Sequence, residues 1–509
     1  MKKVLVRAGM SPLDTFSADE MIKRNSIGNN VGNLMYAYSV FRNLTTENVE
    51  LDADYYRIDP DDANRINETY DAYVIPLANA IRPSFIPALK RYTALIERLK
   101  IPVFVIGMGM AFPYEPNVKQ ERPFDGDVKR FVSAVLEKSN ILGLRGQITS
   151  DYLSYLGFKE GRDHMVIGCP SMYTFGDNIK IRDTELDTNS AISINMTPAA
   201  DQKVLKFLND LSGQYKNLEF TPQDLDEMIL TYSGTPFLGG AVNSKVSNYP
   251  NSLNSAVYKN NQVKFFLSAP SWIKHMGTID LSIGTRLHGN VAPILAGTPS
   301  IAIPIDARMR ELTEYHNFPR VPANEIHEDM KLEELLEKVD VHSVEKNQQK
   351  NYENFINFLD KNGIENVYHY NSEGLKMPFD KKLDLVNLKE PLTTITSCDA
   401  DEMAERLQRN FDIIVPKQEK EKSSNGKKIK AKNKTISKLK NDLNEKTEEL
   451  NELRELDKNT AKLKNDLDKK TEELNEKNRQ NEELNLKVQD MENSRSWKLT
   501  KPLRNLGKK

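Results

Sequence analysis

The chain has 509 residues, a formal net charge of −2 at pH 7 and 28% charged residues. This length allows two or three domains with cores of their own, and the balanced charge excludes a global basic field that would attract nucleic acid. The two cysteines, Cys169 and Cys398, lie far apart and indicate no disulfide framework, which favours a reducing cytoplasm. No apolar run reaches the ~18 residues that predict a membrane-spanning helix.

The first 170 residues alternate short apolar runs with segments of helical spacing. The N-terminal "KKVLV" is too short for a signal peptide, and with "DAYVIPL" and "IPVFVIGMGM" it predicts buried strands. The segments "GNLMYAYSVFRNL" and "FIPALKRYTALIERL" predict helices. Strands that alternate with helices are typical of a parallel sheet covered by helices. Residues 1–180 are therefore predicted to form a Rossmann-like domain.

The same pattern begins again after residue 185. "AISINMT", "HMGTIDLSIGT" and "PSIAIPI" predict strands, and "HGNVAPILAG" predicts a helix that ends at Gly297. Residues 181–330 are therefore predicted to form a second Rossmann-like domain that faces the first across a cleft. In such sheets ligands bind at the carboxyl ends of the strands, close to helix N-termini.

The remaining chain is predicted to be helical in part. Residues 331–415 form a helical return and linking segment, and 416–509 form a basic linker with a flexible "SSNG", a coiled coil and a basic tail. The segment "SKLKNDLNEKTEELNEL" from Ser437 recurs 24 residues later from Ala461, an offset of three heptads plus three residues that would overwind a coiled coil. A short coiled coil that forms a homo-oligomer is favoured over a single exposed helix, although Lys446 interrupts its apolar seam.

A polar group, Thr285-Arg286-Leu287-His288-Gly289, lies where a predicted strand passes into a helix. Free backbone N–H groups and the positive end of the helix dipole favour an anion there. Arg286 can bind a carboxylate or phosphate with two hydrogen bonds, His288 can exchange a proton near neutral pH, and Gly289 allows a close backbone approach. Alternatively, Arg286 pairs with a carboxylate elsewhere and His288 is a satisfied, half-buried histidine. The convergence of these residues on one helix N-terminus favours function.

The segment "IGTRLHGNVAPILAGTPSIAIPIDARMRELTEYHNFPR" resembles the signature of polysaccharide pyruvyl transferases, in which Arg-Leu-His-Gly precedes an apolar helix, Gly-x-Pro, a strand and Asp. "SNILGLRGQITSDYLSYLGF", with Arg145, and "VIGCPSMY" also resemble segments of that family. "IGNNVGNLMYAYSV" resembles the family's first loop and helix, whose Asn/Gly-rich turn, here with Asn29 and Asn30, faces the cleft. The resemblance covers residues 1–330.

This resemblance implies a GT-B-like architecture and transfer of a carboxyvinyl unit from phosphoenolpyruvate to sugar hydroxyls, giving a pyruvate ketal. It implies that Arg145 and Arg286 bind the donor and that His288 is the general acid/base. Thr285, Gly289, Asn29 and Asn30 would contribute to substrate binding. It implies neither a metal nor a cofactor, phosphoenolpyruvate being the donor substrate. The implied acceptor is a saccharide of a bacterial cell-surface polysaccharide or a lipid-linked oligosaccharide.

One turn departs from the family pattern. Where many members have a glycine-rich turn, "DAYVIPLANAIRP" carries Asn79 and Arg82, either as a divergent loop or as residues of an altered acceptor or donor pocket. Arg308 and Arg310 are expected to be solvated helix residues, and Glu314 or His316 could reach the cleft. The histidines His164, His327, His342 and His369 stand alone and are expected in surface or core roles.

The C-terminal "NSRSWKLTKPLRNLGKK" resembles the tail of many bacterial glycosyltransferases and cell-surface polysaccharide enzymes. Its basic residues and Trp497 predict peripheral contact with an anionic membrane surface, against the alternative of a disordered basic end. Two other functions remain open: a GT-B glycosyltransferase that uses a nucleotide sugar, and a non-catalytic scaffold that recruits glycan enzymes through the coiled coil. The joint presence of Arg145, Arg286 and His288 argues against the scaffold.

Overall fold

Parallel strands form the centre of the first half of the chain. Four of them pair in the order β2-β1-β3-β4, β5 pairs with β6, and an isolated bridge between Met108 and Leu144 joins the two groups. The strands are β1 (Lys2–Val6), β2 (Val49–Ala53), β3 (Ala72–Pro76), β4 (Val103–Ile106), β5 (Leu142–Leu144) and β6 (His164–Val166). The helices among them are α1 (Ala18–Arg24), α2 (Gly32–Leu44), α3 (Ala63–Thr69), α4 (Ile86–Ile96), α5 (Asp125–Leu136) and α6 (Gln147–Tyr155).

A second parallel sheet follows, with the strand order β10-β9-β7-β8. Its strands are β7 (Ala191–Asn195), β8 (Asn217–Phe220), β9 (Leu281–Gly284) and β10 (Ser300–Ala302). Its helices are α7 (Gln202–Asp210), α8 (Leu225–Ser233), α9 (Ala256–Lys259), α10 (Ala269–Met276), α11 (Leu287–Leu295) and α12 (Ala307–Tyr315). The predicted α/β class with two parallel sheets is confirmed.

The computed structural model describes residues 1–236, 246–327, 330–369 and 376–499, without the side chains of 417–418, 421–422, 425, 428–429, 431 and 497. Contacts divide the chain into two compact units, Met1–Gln418 and a second that begins at Glu419. Both sheets lie in the first unit. Within the described ranges, no helix has both the length and the apolar character needed to cross a membrane.

Helix α2 holds the two sheets together. Eleven of its thirteen residues are buried, and it packs against α10 and α11 of the second half. One hydrophobic cluster joins Met35 of α2 with Val291 of α11 and with Phe355 further along the chain. Because this cluster is continuous across both halves, the loops at the sheet ends are held in a fixed relation to one another.

The chain returns to the first sheet after α12. The returning helices are α13 (Leu332–Lys338), α14 (Glu345–Lys361), α15 (Pro378–Leu383) and α16 (Ala400–Arg409). The Oδ1 of Asn362 accepts hydrogen bonds from the backbone N–H groups of Asn140 and Ile141, at 3.0 and 3.2 Å. Arg42 of α2 forms an ion pair with Asp380 of α15 at 2.8 Å.

The last long helix, α17, runs from Val415 to Asn493 and is followed by α18 (Arg495–Leu499). The expectation of a flexible break at "SSNG" is wrong, because the helix continues through Gly426. Lysine and glutamate are good helix formers, and a single glycine costs only about 1 kcal/mol. The apolar side chains of the repeats are exposed, from 49% for Leu450 to 70% for Leu463. The coiled coil stays a prediction, and most of the predicted basic tail, residues 500–509, lies outside the described residues.

Candidate active site

One cavity of about 660 Å³ lies at the carboxyl ends of the strands. Loops and helix N-termini that follow β1, β3 and β5 of the first sheet meet those that follow β8, β9 and β10 of the second. The open ends of parallel strands are where such folds bind ligands. Seven residues considered for the site from the sequence line this cavity: Asn29, Asn30, Asn79, Arg82, Arg145, Arg286 and His288.

Two of the predicted substrate-binding residues lie behind the cavity wall instead. The buried Thr285 accepts a hydrogen bond from the backbone N–H of Thr197 through its Oγ1 at 2.7 Å. A Cβ atom on Gly289 would lie 2.4 Å from Cγ of Asn195. Their physical role is therefore packing: Thr285 holds a neighbouring loop, and Gly289 lets α11 approach β7.

The strand-to-helix junction places His288 in the first turn of a helix. β9 ends at Gly284, Arg286 is the N-cap of α11, and the helix begins at Leu287. The amide of Asn290 donates hydrogen bonds to the carbonyls of Gly284 and Arg286, at 3.1 and 2.8 Å. These hydrogen bonds fix the turn. The strand-to-helix position predicted for Arg286 and His288 is confirmed.

The Arg286 guanidinium is bound by carboxylates of the second half. Its Nη2 donates to Oδ2 of Asp224 at 2.7 Å and to Oε1 of Glu227 at 3.2 Å, and its Nε donates to the carbonyl of Met196. The hydroxyl of Tyr249 also donates to Glu227. Arg286 therefore lines the cavity with its charge already compensated. This arrangement matches the alternative in which Arg286 pairs with a carboxylate elsewhere in the chain.

Burial acts on both of these carboxylates. It raises the pKa of Glu227 to about 7, against the opposing charge of Arg286. Burial also disfavours the charged form of Asp224, but the charge and hydrogen bond of Arg286 and a hydrogen bond from Asn30 lower the pKa of Asp224 below its usual value. Asp224 is therefore the carboxylate that stays ionised at the cavity surface.

The His288 imidazole is almost fully buried. Its Nε2 lies 3.4 Å from Oγ of Ser171 and 4.0 Å from Sγ of Cys169. Burial, followed by the charges of Arg145 and Arg308, holds the pKa of His288 well below its usual range. The free protein therefore carries a neutral imidazole, which can accept a proton.

Arg145 follows β5 and is 1% exposed. Its guanidinium lies over the ring of Tyr36, 5.0 Å from the centroid, and its Nη2 is 3.8 Å from Sγ of Cys169. The buried Nε of Arg145 has no hydrogen-bond partner in the part of the chain that the structure describes. A buried guanidinium with an unused donor is costly unless a ligand completes it.

Arg308 corrects an expectation, because it is not a solvated helix residue. It lies at the second position of α12, directly after β10, and lines the cavity with 26% of its side chain exposed. Its Nη2 lies 3.3 Å from Oδ2 of Asp306, and its buried Nε finds no partner among the described residues. The sequence missed Arg308 because only the position of β10 beside the cleft shows where the start of α12 lies.

The neighbouring residues of α12 behave differently. Arg310 is solvated as expected and forms an exposed ion pair with Glu314 at 3.0 Å, and Glu314 is not among the residues that line the cavity. His316 is buried, and its Nε2 accepts a hydrogen bond from the backbone N–H of Cys169 at 2.8 Å. Burial and the charge of Arg145 lower the pKa of His316 to about 3. His316 supports the loop beside His288 and is not among the residues that line the cavity.

The Asn/Gly-rich loop joins the two halves at the cavity floor. The backbone N–H of Val31 donates to the carbonyl of Gln223 at 2.8 Å, and that of Leu225 donates to the carbonyl of Asn29 at 3.2 Å. The Nδ2 of Asn30 donates to Oδ1 of Asp224 at 2.8 Å. Asn30 therefore contributes to the cavity by fixing the carboxylate that binds Arg286.

The opposite end of the cavity is built from the first sheet alone. Arg82 lies on the turn after β3, where its Nη1 donates to the carbonyl of Asn79 at 2.6 Å. Arg7, which the sequence did not single out, follows β1 and lines the same end with Tyr56 and Phe85. No three His, Cys, Asp or Glu residues within the described ranges are grouped to hold a metal ion.

Comparisons with solved structures give distant likenesses. The S. aureus MnaA–UDP structure has 11% sequence identity and a TM-score of 0.37, covering 71% of this chain and 96% of that chain. UDP-GlcNAc 2-epimerase from Neisseria meningitidis bound to UDP-GlcNAc has 12% identity and a TM-score of 0.33, covering 75% and 100%. MurG from Acinetobacter baumannii has 10% identity and a TM-score of 0.29, covering 71% and 100%.

Sequence comparison is more informative about the family. No curated protein matches the chain. The family profile described as polysaccharide pyruvyl transferase matches residues 30–306, which is more than half of the chain and includes the loop of Asn30, Arg145 and the Arg286–His288 turn. The chain therefore belongs to the polysaccharide pyruvyl transferase family.

Proposed function

We propose that this protein transfers a pyruvyl group from phosphoenolpyruvate to a saccharide of a bacterial cell-surface polysaccharide, or to the lipid-linked precursor of one. The observation that carries the proposal is the meeting of Arg145, Arg308 and His288 in one cavity, with a buried and unpartnered Nε on each arginine among the described residues. A donor with a carboxylate and a phosphate needs two such guanidiniums. Arg286 contributes to the site by binding Asp224, and its guanidinium is not available to bind the donor.

The overall reaction requires proton transfer to carbon and from oxygen. The bond between C2 of phosphoenolpyruvate and its phosphate oxygen breaks, and two acceptor hydroxyls form bonds to C2. One hydroxyl proton ends on the methylene carbon, which becomes a methyl group, and the other leaves with phosphate. His288 is the group that moves protons in this scheme, because its imidazole lies at the cavity beside Arg145 and Arg308.

The charges around His288 suit both directions of transfer. The neutral imidazole of the free protein can accept a proton from an acceptor hydroxyl. A bound phosphoenolpyruvate brings negative charge against Arg145 and Arg308, whose positive charges lower the pKa of His288. Compensation of those charges raises that pKa, so that the imidazolium formed can donate its proton to the methylene carbon.

The location of the protein and its oligomeric state are part of the proposal. We propose that the protein acts at the cytoplasmic face of a bacterial membrane, with peripheral contact through the basic tail. The second unit is proposed to form a homo-oligomeric coiled coil. Its support is the row of exposed apolar side chains on α17, which a second copy would cover: Leu439, Leu443, Leu450, Leu453, Leu463, Leu467, Leu474 and Leu484.

The test of the proposed reaction uses the full-length protein with phosphoenolpyruvate and candidate lipid-linked sugars in D₂O. Phosphate release and a singly deuterated methyl group in the ketal product, followed by mass spectrometry, are the expected results. His288→Ala should abolish both, whereas His369→Ala, which alters an exposed histidine paired with Asp360, should change neither. Binding of a nucleotide sugar with no phosphate release from any acceptor would replace the proposal with the glycosyltransferase alternative.

A further inference from the structure

Two arginines form a second cationic group in the cavity, separate from the arginines beside His288. Arg7 donates from Nε to the hydroxyl of Tyr92 at 2.8 Å and from Nη1 to the carbonyl of Pro76 at 3.1 Å. Arg82 donates from Nε to Oγ of Ser84 at 3.1 Å and from Nη1 to a backbone carbonyl of its own turn. Neither forms an ion pair with a carboxylate of the described residues.

Arg308 is the charge that acts on both groups. Burial and the charges of Arg308 and Arg7 lower the pKa of Arg82, whereas His288 is subject to the charges of Arg145 and Arg308. Unlike His288, the guanidiniums of Arg7 and Arg82 stay charged near neutral pH, because arginine titrates far above it.

Positive charge remains in the cavity beyond the two arginines proposed to bind the donor. Five arginines and one carboxylate, Asp224, line it; Arg286 is already bound to that carboxylate, and Arg308 is paired with Asp306. Phosphoenolpyruvate beside Arg145 and Arg308 would leave Arg82 without a compensating charge, whereas the buried carboxylate of Asp54 already acts on Arg7. The cavity, at about 660 Å³, also has room for a sugar beside so small a donor.

Aromatic rings form the walls around this second group. The guanidinium carbon of Arg7 lies 4.7 Å from the ring centroid of Tyr56 and 5.8 Å from that of Phe85, and Arg82 lies 5.4 Å from Phe85. Tyr56 adopts a left-handed backbone conformation with φ of 55°, which is costly for a tyrosine. Its backbone N–H is held there by Oδ1 of Asp54 at 2.8 Å.

An unused acceptor lies at the same end. The Oδ1 of Asn79 is buried without a hydrogen-bond partner among the residues that the structure describes. Because Asn79 lines the cavity next to Arg82, a ligand with a hydroxyl or amide donor would satisfy it. Anion-binding guanidiniums, flat aromatic walls and a buried acceptor together match an acidic sugar.

We propose that Arg7 and Arg82 bind an anionic group, phosphate or carboxylate, on the acceptor saccharide, with Tyr56 and Phe85 against its ring and Asn79 accepting from one of its donors. The proposal rests on the proposed function, since it names the acceptor class for the same cavity. In this proposal the "LANAIRP" turn, with Asn79 and Arg82, determines the specificity for acidic acceptors. Neutral sugars would lack the group that these two arginines bind.

Calorimetric titration of the full-length protein tests this directly. The probes are N-acetylglucosamine, N-acetylglucosamine 1-phosphate and glucuronic acid, each with and without saturating phosphoenolpyruvate. At least one acidic sugar should bind about tenfold more tightly than the neutral sugar, both with and without the donor. The phosphate and carboxylate probes distinguish the two sources of the anion.

Variants separate the two anion groups. Arg82→Gln should weaken the acidic sugar about tenfold and leave phosphoenolpyruvate affinity unchanged, Arg82→Lys should restore much of the loss, and Arg310→Gln should change neither. Competition between the acidic sugar and phosphoenolpyruvate, equal weakening of both by Arg82→Gln, or equal binding of the neutral sugar would overturn the proposal. Absent phosphoenolpyruvate binding in the unaltered protein would refute the proposed donor, and the sugar titrations would still decide this inference.

Discussion

The Nη2 atom of Arg286 lies 2.7 Å from Oδ2 of Asp224, while the other oxygen of that carboxylate accepts a hydrogen bond from Asn30 at 2.8 Å. The arginine of the Arg-Leu-His-Gly turn is thus bound, through one carboxylate, to the loop of the opposite half. Arg286 acts on the cavity chiefly by keeping its two walls in register.

Asp224→Asn should weaken this link, because the amide removes the charge that compensates Arg286. We expect phosphate release to fall by about tenfold or more and the free energy of unfolding to fall by about 1–3 kcal/mol. Urea unfolding and the phosphate assay measure the two effects. Asp210→Asn, which alters an exposed ion pair with Lys206, is the matched control. Unchanged stability and activity would show that the Arg286 link is dispensable.

Arg308→Gln should raise the pKa of His288. Removal of a positive charge that holds this pKa down makes the imidazolium easier to form, so the titration should move to higher pH. NMR titration of the imidazole C–H signals, assigned with His288→Gln, measures it. Arg310→Gln, two residues further along the same helix and outside the cavity lining, should leave the titration of His288 unchanged. A downward shift would contradict the charge arrangement described for His288.

Gly32→Ala should displace the His288 imidazole. A Cβ at that position would lie 2.2 Å from Nδ1 of His288 and 2.8 Å from Oδ1 of Asn30, so both side chains must move. Misplacement of a reacting group by ~1 Å can cost about a hundredfold in rate, and we expect phosphate release to fall at least tenfold.

The control for that change is Gly126→Ala, because a Cβ on this residue of helix α5 meets no atom within 4 Å. This variant should keep its activity and gain up to about 1 kcal/mol in the free energy of unfolding, as alanine favours helix. Equal activity of the two variants would refute the close packing of Gly32 on His288.

The coiled-coil proposal predicts a change in oligomeric state. Replacement of Leu450 and Leu453 by serine removes two apolar side chains from the proposed seam of α17 and should shift the protein to smaller species. Glu452→Ser, on the same helix but outside the seam, should not. Analytical ultracentrifugation of the full chain measures this, and a monomeric unaltered protein at all concentrations would refute the coiled coil.

The central strands were predictable because each contains a short run rich in apolar residues. "KKVLV", "DAYVIPL" and "AISINMT" correspond to β1, β3 and β7, which pair with neighbours on both sides. The missed strands include β2, "VELDA", and β8, "NLEF", which lie at sheet edges and contain polar residues, of which Asp52 and Asn217 are exposed. Edge strands need less apolar surface, so their pattern is weaker.

The site could be predicted only where its signal is local. The Arg286–His288 turn carries its chemistry within a few residues of a strand end. Asp224 and Glu227 follow the pattern of a helix N-terminal capping box, and nothing in that pattern shows that they also bind an arginine some sixty residues later. Arg7 likewise becomes a site residue only when β1 and β3 lie side by side.

The backbone pairing of residues 29–31 with 223–225 aligns the two walls of the cavity when the chain folds, before any substrate arrives. Two domains on a hinge lose freedom of motion each time they close on a ligand, whereas here that loss of entropy belongs to folding. In the proposed reaction, donor and acceptor would bind between walls that are already aligned, so we expect the dimensions of the cavity mouth to limit which saccharides reach His288.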